Sequence, residues 1–152
     1  MTHTNDLIAL INEAREDDDM IPLSFNPSLA RAAIQHSLHM YKTGILSHTG
    51  SGNSSFSNRI NNNSYIFSEA AENIAYCNKS AQNAFDIWMQ SDNHRANFLN
   101  PAFCHIGVGI APRAMEGNKV ISLYWTVTLA SPLYFEDVEE ADADDDLFGV
   151  IF

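Results

Sequence analysis

Ile106-Gly107-Val108-Gly109-Ile110-Ala111 and, a few residues on, Val120-Ile121-Ser122-Leu123-Tyr124-Trp125-Thr126-Val127-Thr128 decide the fold. The first stretch alternates branched apolar residues with glycine or alanine at the two-residue period of a strand. The second is rich in β-branched and aromatic types, which suit a pleated, half-buried surface. Pro112 and Gly117-Asn118 lie between them and favour a turn, so the pair reads as an antiparallel hairpin over 105–111 and 120–128. Tyr134-Phe135 could add a short strand.

Helical signals precede the hairpin. Asn26 is placed to cap a helix with Pro27 in its first turn, and Gly44 stands where such a helix would end. Leu29, Ala33, His36 and Met40 recur at helical spacing between them, and Lys42 suits the C-terminal dipole. Leu7, Leu10, Ile11 and Ala14 make a face for an earlier helix over 5–16, stopped by the acidic run Glu16 to Asp19. Ser80 can cap a third helix over 81–91, with Ala81, Ala84, Phe85, Trp88 and Met89 on its apolar side and Asp92-Asn93 at its end. From Ser47 to Asn63 serine, asparagine and glycine dominate. A long surface loop with one short helix near Phe56 to Ile60 is expected there, and such loops usually cover or form a site. Helices followed by strands indicate an α+β layer fold.

At 152 residues and 45% hydrophobic, the chain can bury one core without metal or disulfide staples. No apolar run approaches the roughly 18 residues that a membrane helix needs. Nineteen Asp and Glu face eight Lys and Arg, for a net charge of -11. Eight of those acids fall between Glu136 and Asp146, which leaves the rest of the chain at -3 (-11 less -8). Without a basic stripe, a phosphate-tracking nucleic-acid surface is not expected. Asp142, Asp144 and Asp146 match the first ligand positions of a calcium loop, but Leu147 stands where the loop's turn needs glycine. Residues 136–152 therefore read as an acidic tail or linker ending in the apolar run Leu147-Phe148-Gly149-Val150-Ile151-Phe152. The first six residues lack both a basic start and an apolar signal core, which is compatible with a cytoplasmic chain or with a mature domain.

His48 follows the second helix in Ser47-His48-Thr49-Gly50, and His94 follows the third in Asp92-Asn93-His94-Arg95. Glu72 lies between them in Glu72-Asn73-Ile74-Ala75, in a segment where a carboxylate is costly to bury unless paired. Two imidazoles and a carboxylate could hold a divalent metal with an open water position. They could pass protons. They could equally be a polar cluster that pins the long loop to the helices. His36, on the apolar helix face, reads as a satisfied core histidine; His36 and His39 have the spacing of a metal pair without a clear third ligand. Phe56, Tyr65, Phe67 and Tyr76 read as core or loop anchors, with a lipid or glycan groove as the alternative.

Together, Ala33-Ile34-Gln35-His36-Ser37, Ser47-His48-Thr49-Gly50 with Gly52 and Arg59, Glu72-Asn73-Ile74-Ala75, Trp88-Met89-Gln90-Ser91, His94-Arg95-Ala96-Asn97-Phe98-Leu99, Ile106-Gly107-Val108-Gly109 and Tyr124-Trp125-Thr126 resemble the CAP superfamily of cysteine-rich secretory, antigen 5 and pathogenesis-related proteins. The closest form is the small prokaryotic one, over about residues 7–130. The resemblance implies a three-layer α-β-α sandwich, with a central, mainly antiparallel sheet, across a CAP-like domain of residues 1–135. It implies a cleft formed by His48, Glu72 and His94, with Asp92 as the only acid near the place of the family's second glutamate. Members are mostly secreted, so it implies an extracellular or periplasmic domain, and a monomer is expected.

No shared reaction defines the family. The resulting expectation is a non-enzymatic module that binds a small molecule, lipid, glycan, protein or divalent metal. If a metal binds, zinc on His48, His94 and Glu72 is the first choice. A Ser/His hydrolase using Ser47, Ser51 or Ser91, a metallopeptidase, and a purely structural domain are the alternatives; no His-Glu-x-x-His helix supports the peptidase. The resemblance also sets Cys77 and Cys104 near one region of the sheet. They are read either as a disulfide, which would point to an oxidising compartment, or as two separate buried thiols.

Overall fold

The computed structural model describes residues 3–133. In chain order its elements are α1 (His3–Asp17), β1 (Ser24–Phe25), α2 (Pro27–Thr43), α3 (Phe56–Asn62), β2 (Phe67–Cys77), α4 (Ala81–Met89), α5 (Asp92–Phe98), β3 (His105–Glu116) and β4 (Lys119–Pro132). The strands form one sheet in the order β1-β3-β4-β2. β3 and β2 flank β4 antiparallel, and the two-residue β1 adds parallel to β3.

Alternation along β3 assigns the layers. Ile106 and Val108 turn into a core with Leu7, Ile11, Trp88, Phe98, Trp125 and Leu129, on the side of α1, α4 and α5. Gly107 and Gly109 turn the other way, against α2. A Cβ on Gly107 would lie 2.1 Å from the Ala30 nitrogen, and one on Gly109 would lie 2.3 Å from the Ile34 nitrogen. The helix backbone therefore rests directly on the strand. Ser37 fixes the contact: its hydroxyl donates to the Gly109 carbonyl at 3.0 Å and bonds Thr126 at 2.7 Å. The α-β-α sandwich follows from these two opposed faces.

The expected helix over 27–43 is present, with Asn26 accepting from Ser28 and Leu29 and Gly44 in the left-handed region at φ 70°. The short helix near Phe56 extends to Asn62, preceded by a 3-10 turn at Ser51–Asn53. The 81–91 helix is shorter than expected. It ends at Met89, and after extended Ser91 a new helix opens at Asp92, so His94 sits on α5 and not on a loop. Asp and Asn serve helix starts as well as ends, and here they start one.

β2 was not foreseen. Its sequence, Phe67 to Cys77, lacks large apolar alternation because one face carries Glu72 toward a polar cleft. The second face meets the core through Ala71 and Ala75. The proposed Tyr134-Phe135 strand, the acidic tail and the calcium-loop reading lie outside the described residues.

The Cys77–Cys104 disulfide is corrected: both cysteines are free thiols. Cys77 pairs with Leu123 on β4, whereas the Cys104 N–H donates to Ala130. Seven strand positions separate these partners (130 less 123). That places the cysteines roughly 23 Å apart along the sheet, far beyond the Cα separation of about 4.4–6.8 Å that a disulfide spans.

The close approach of α2 generates a test. Gly109→Ala places a methyl group against backbone, which cannot rotate away as a side chain would. Urea unfolding should show a loss of about 2–3 kcal/mol; a loss below about 0.5 kcal/mol would mean that α2 does not rest on the strand.

Candidate functional site

The site is built around one buried carboxylate. Glu72 stands on the α2 face of β2 with 1% of its side chain exposed. Arg59 from α3 donates through Nη2 to Glu72 Oε2 at 2.5 Å. His48 Nδ1 lies 2.9 Å from Glu72 Oε1. Both carboxylate oxygens are thus engaged, which is the condition for keeping such a charge in the interior. An ionised carboxylate only accepts, so His48 carries its proton on Nδ1 and turns Nε2 away from Glu72.

Arg59 does more than neutralise. Its Nη2 also donates to the His48 carbonyl at 3.1 Å, and its Nη1 to the Ser54 carbonyl at 3.0 Å. One guanidinium therefore ties α3, β2 and two points of the Ser/Asn/Gly loop together. Gly50 lets the loop pass: a Cβ there would lie 2.6 Å from both Arg59 Nη1 and Ser54 Oγ. His36 closes the back. It is fully buried and donates from Nε2 to the Ser47 carbonyl at 2.6 Å, with that nitrogen 3.9 Å from Glu72. Its other ring nitrogen meets no protein partner. Burial lowers the His36 pKa, and this outweighs the upward pull of Glu72. Beside this cluster, His36 and Arg59, with His39, Ser51, Ser54 and Asn62, help to line a polar hollow of about 270 Å³.

His94 reaches the cleft by a different route. Asn73, the neighbour of Glu72, points to the opposite face of β2 and is fully buried. Its Nδ2 donates to the His94 carbonyl at 3.0 Å, and its Oδ1 accepts from Asn97 at 2.7 Å. Arg15 of α1 anchors the far end of α5 by donating to the carbonyls of Phe98, Asn100 and Phe103 at 2.8, 3.0 and 3.1 Å. The His94 pKa is lowered, chiefly by burial and then by the neighbouring His48. The two imidazoles are therefore electrostatic neighbours.

The sequence-predicted residues divide accordingly. His48 and Glu72 are brought together, and His94 comes within electrostatic reach of His48. Asp92 is not part of the cluster: its side chain is 90% exposed and pairs with Arg95 at 2.6 Å. Glu72 is an orienting partner, with both oxygens committed. Among the described residues no three His, Cys, Asp or Glu side chains are grouped to hold a metal ion. Ser47 Oγ accepts from the Thr49 N–H, and among the described residues no serine hydroxyl bonds His48 or His94. Arg59, Asn73 and Arg15 had no assigned role in the sequence reading. Arg59 had a signal, as the one cation in a long neutral loop.

This constellation sits within a region that matches the family described as CAP: Cysteine-rich secretory protein family, over residues 8–129. The chain belongs to the CAP family. It is 31% identical over 103 residues to YkwD of Bacillus subtilis, an uncharacterized protein, covering 68% of this chain and 40% of that one. It is 29% identical over 119 residues to YlbC of the same organism, an uncharacterized membrane protein, covering 78% of this chain and 34% of that one. The chain thus spans less than half the length of these curated relatives.

Among solved structures it is similar to an extracellular SCP-domain protein of Bacillus anthracis, with a TM-score of 0.73, 26% identity, and coverage of 84% of this chain and 40% of that one. An outer surface protein of Borrelia burgdorferi shares the fold at a TM-score of 0.74 and 17% identity, covering 85% of this chain and 92% of that one. No helix among the described residues is long and apolar enough to cross a membrane.

The buried imidazole carries a pH signature. His36 has a depressed folded pKa, so the unfolded chain takes up that proton first as pH falls. Stability is fully present above the unfolded value of about 6.5 and is lost as pH falls through the lower folded value. Urea unfolding between about pH 8 and pH 5.5 should show this decline, and His36→Gln should flatten it by up to about 1.4 kcal/mol per pH unit. An equal slope in both proteins would place the His36 proton in solvent.

Proposed function

We propose that this CAP domain is an extracellular, non-enzymatic binding module. Its cleft takes a divalent cation, zinc first, or a small polar ligand on His48 Nε2 and His94. The observation that carries this reading is the Glu72–His48 pair. A carboxylate on one ring nitrogen fixes the tautomer and leaves the other nitrogen as a basic lone pair, the arrangement that metal-ligating histidines use. The His48 side chain is 55% exposed although its partner is buried, so that lone pair can meet a ligand from solvent. His94, kept neutral by its lowered pKa, offers a second imidazole. Two imidazoles fit zinc better than magnesium, which prefers oxygen. With Glu72 committed to Arg59 and His48, water or the ligand itself completes the coordination, and binding is weak. The extracellular assignment draws on the similarity to the Bacillus anthracis and Borrelia burgdorferi proteins.

A second reading has its own support. The Arg59–Glu72–His48 network also explains itself as an anchor for the long loop, with no ligand at all. Calorimetric zinc titration of the metal-free protein separates the two. The binding module predicts a saturable heat that His48→Ala and His94→Ala each reduce by at least about tenfold in affinity. Identical heats in all three proteins would leave the anchor as the whole role of the cluster.

A further inference from the structure

A second surface lies away from the cleft. Ile34, Leu38 and Tyr41 on α2, followed by Ile45, recur at four- and three-residue steps, and each is more than two-fifths exposed. They form one apolar stripe along the helix. The stripe borders β3. Gly107 meets Ala30 and Gly109 meets Ile34, so four helix residues advance as far as two strand residues, about 6.0 Å against 6.6 Å. The same step carries Leu38 to the level of Ala111 and Lys42 to that of Arg113. Beside this part of β3 one edge is open among the described residues. β1 pairs only with His105 and Ile106, and β4 occupies the other edge. An open edge flanked by an apolar helix stripe has the form of a site for one more extended segment.

Charge selects the occupant. Helix α2 holds Arg31 and Lys42 and no Asp or Glu; on the neighbouring hairpin Lys119 stands opposite Glu116, and the Arg113 guanidinium stacks over the Tyr76 ring of β2, away from the open edge. α1, on the opposite side of the sheet, holds Asp6, Glu13, Glu16 and Asp17. The basic, apolar surface therefore suits an acid-flanked apolar strand. This chain carries one: the eight acids between Glu136 and Asp146, followed by Leu147-Phe148-Gly149-Val150-Ile151-Phe152. Branched and aromatic residues in that run favour extended pairing. Leu147 lies fourteen residue steps beyond Leu133 (147 less 133), enough to span up to about 46 Å when extended. From the end of β4 to the middle of β3 is a shorter path.

We propose that residues 147–152 dock on the stripe formed by Ile34, Leu38, Tyr41 and Ile45 beside the open edge of β3, with the acids of 136–146 facing Arg31 and Lys42. This docking is independent of any ligand in the cleft.

Photo-crosslinking of the dilute full chain carrying p-benzoylphenylalanine in place of Phe148 tests it. The expected product has monomer mass and joins residue 148 to peptides from 34–45 or 110–116. Its yield should fall at least about fivefold with Leu38→Glu, which puts a charge on the apolar contact. It should also fall in about 1 M salt, which screens the acidic approach. Leu38 is partly exposed, so the fold should tolerate the change. Tyr41→Glu provides a second readout on the same stripe. Links elsewhere on the domain, links only between chains, or a yield indifferent to both substitutions would overturn the proposal.

Discussion

A single ionised carboxylate, Glu72, sets the terms for the polar half of this molecule. Burying it is possible only because Arg59 and His48 occupy its two oxygens. Removing Arg59 would leave the carboxylate without its cation in a low-dielectric interior, at a cost of about 3–5 kcal/mol for a broken buried pair. That requirement fixes three separate pieces of chain. It holds α3 against β2, it holds the Ser47–Ser54 loop through the Arg59 bonds to His48 and Ser54, and it fixes the tautomer of His48. The cleft is thus a consequence of charge neutralisation.

The apolar half delivers the second imidazole. Two glycines on β3 bring α2 into backbone contact with the sheet, which sets the depth at which His36 lies behind Glu72. On the other face Asn73 and Arg15 hold the two ends of α5. Adjacent residues of one strand thereby serve opposite layers, Glu72 orienting His48 and Asn73 positioning the helix that carries His94. A strand is suited to this because its side chains alternate between faces. A one-residue slip of β2 would exchange the two roles and lose the cleft.

Much of this was legible in the sequence, for identifiable reasons. α2 carries its signals in Asn26, Pro27 and Gly44, and the β3–β4 pair carries them in alternation and turn residues. The pairing of His48 with Glu72 was legible through the cost of burying a carboxylate. What escaped has a physical cause in each case. β2 lacks apolar alternation because Glu72 interrupts one face and Asn73 the other. α5 was hidden because Asp92-Asn93 is compatible with a helix end or a helix start. Arg59 and Asn73 act through hydrogen bonds across the fold, and no local pattern reports those. The disulfide reading placed both cysteines near one sheet region, but the register along β4 sets them at its opposite ends. Asp92 failed as a cleft acid because its neighbour in helical space, Arg95, engages it in solvent.

The account rests on Glu72 being ionised and accepting from His48 Nδ1. Long-range nitrogen–proton NMR of the histidine rings in the metal-free domain, at about pH 8 where free imidazole is neutral, reads this directly. The prediction is opposite tautomers in one protein: His48 protonated on Nδ1 with a bare Nε2, and His36 protonated on Nε2. A His48 ring protonated on Nε2 would contradict it, because Nδ1 would then face Glu72 without a proton to donate.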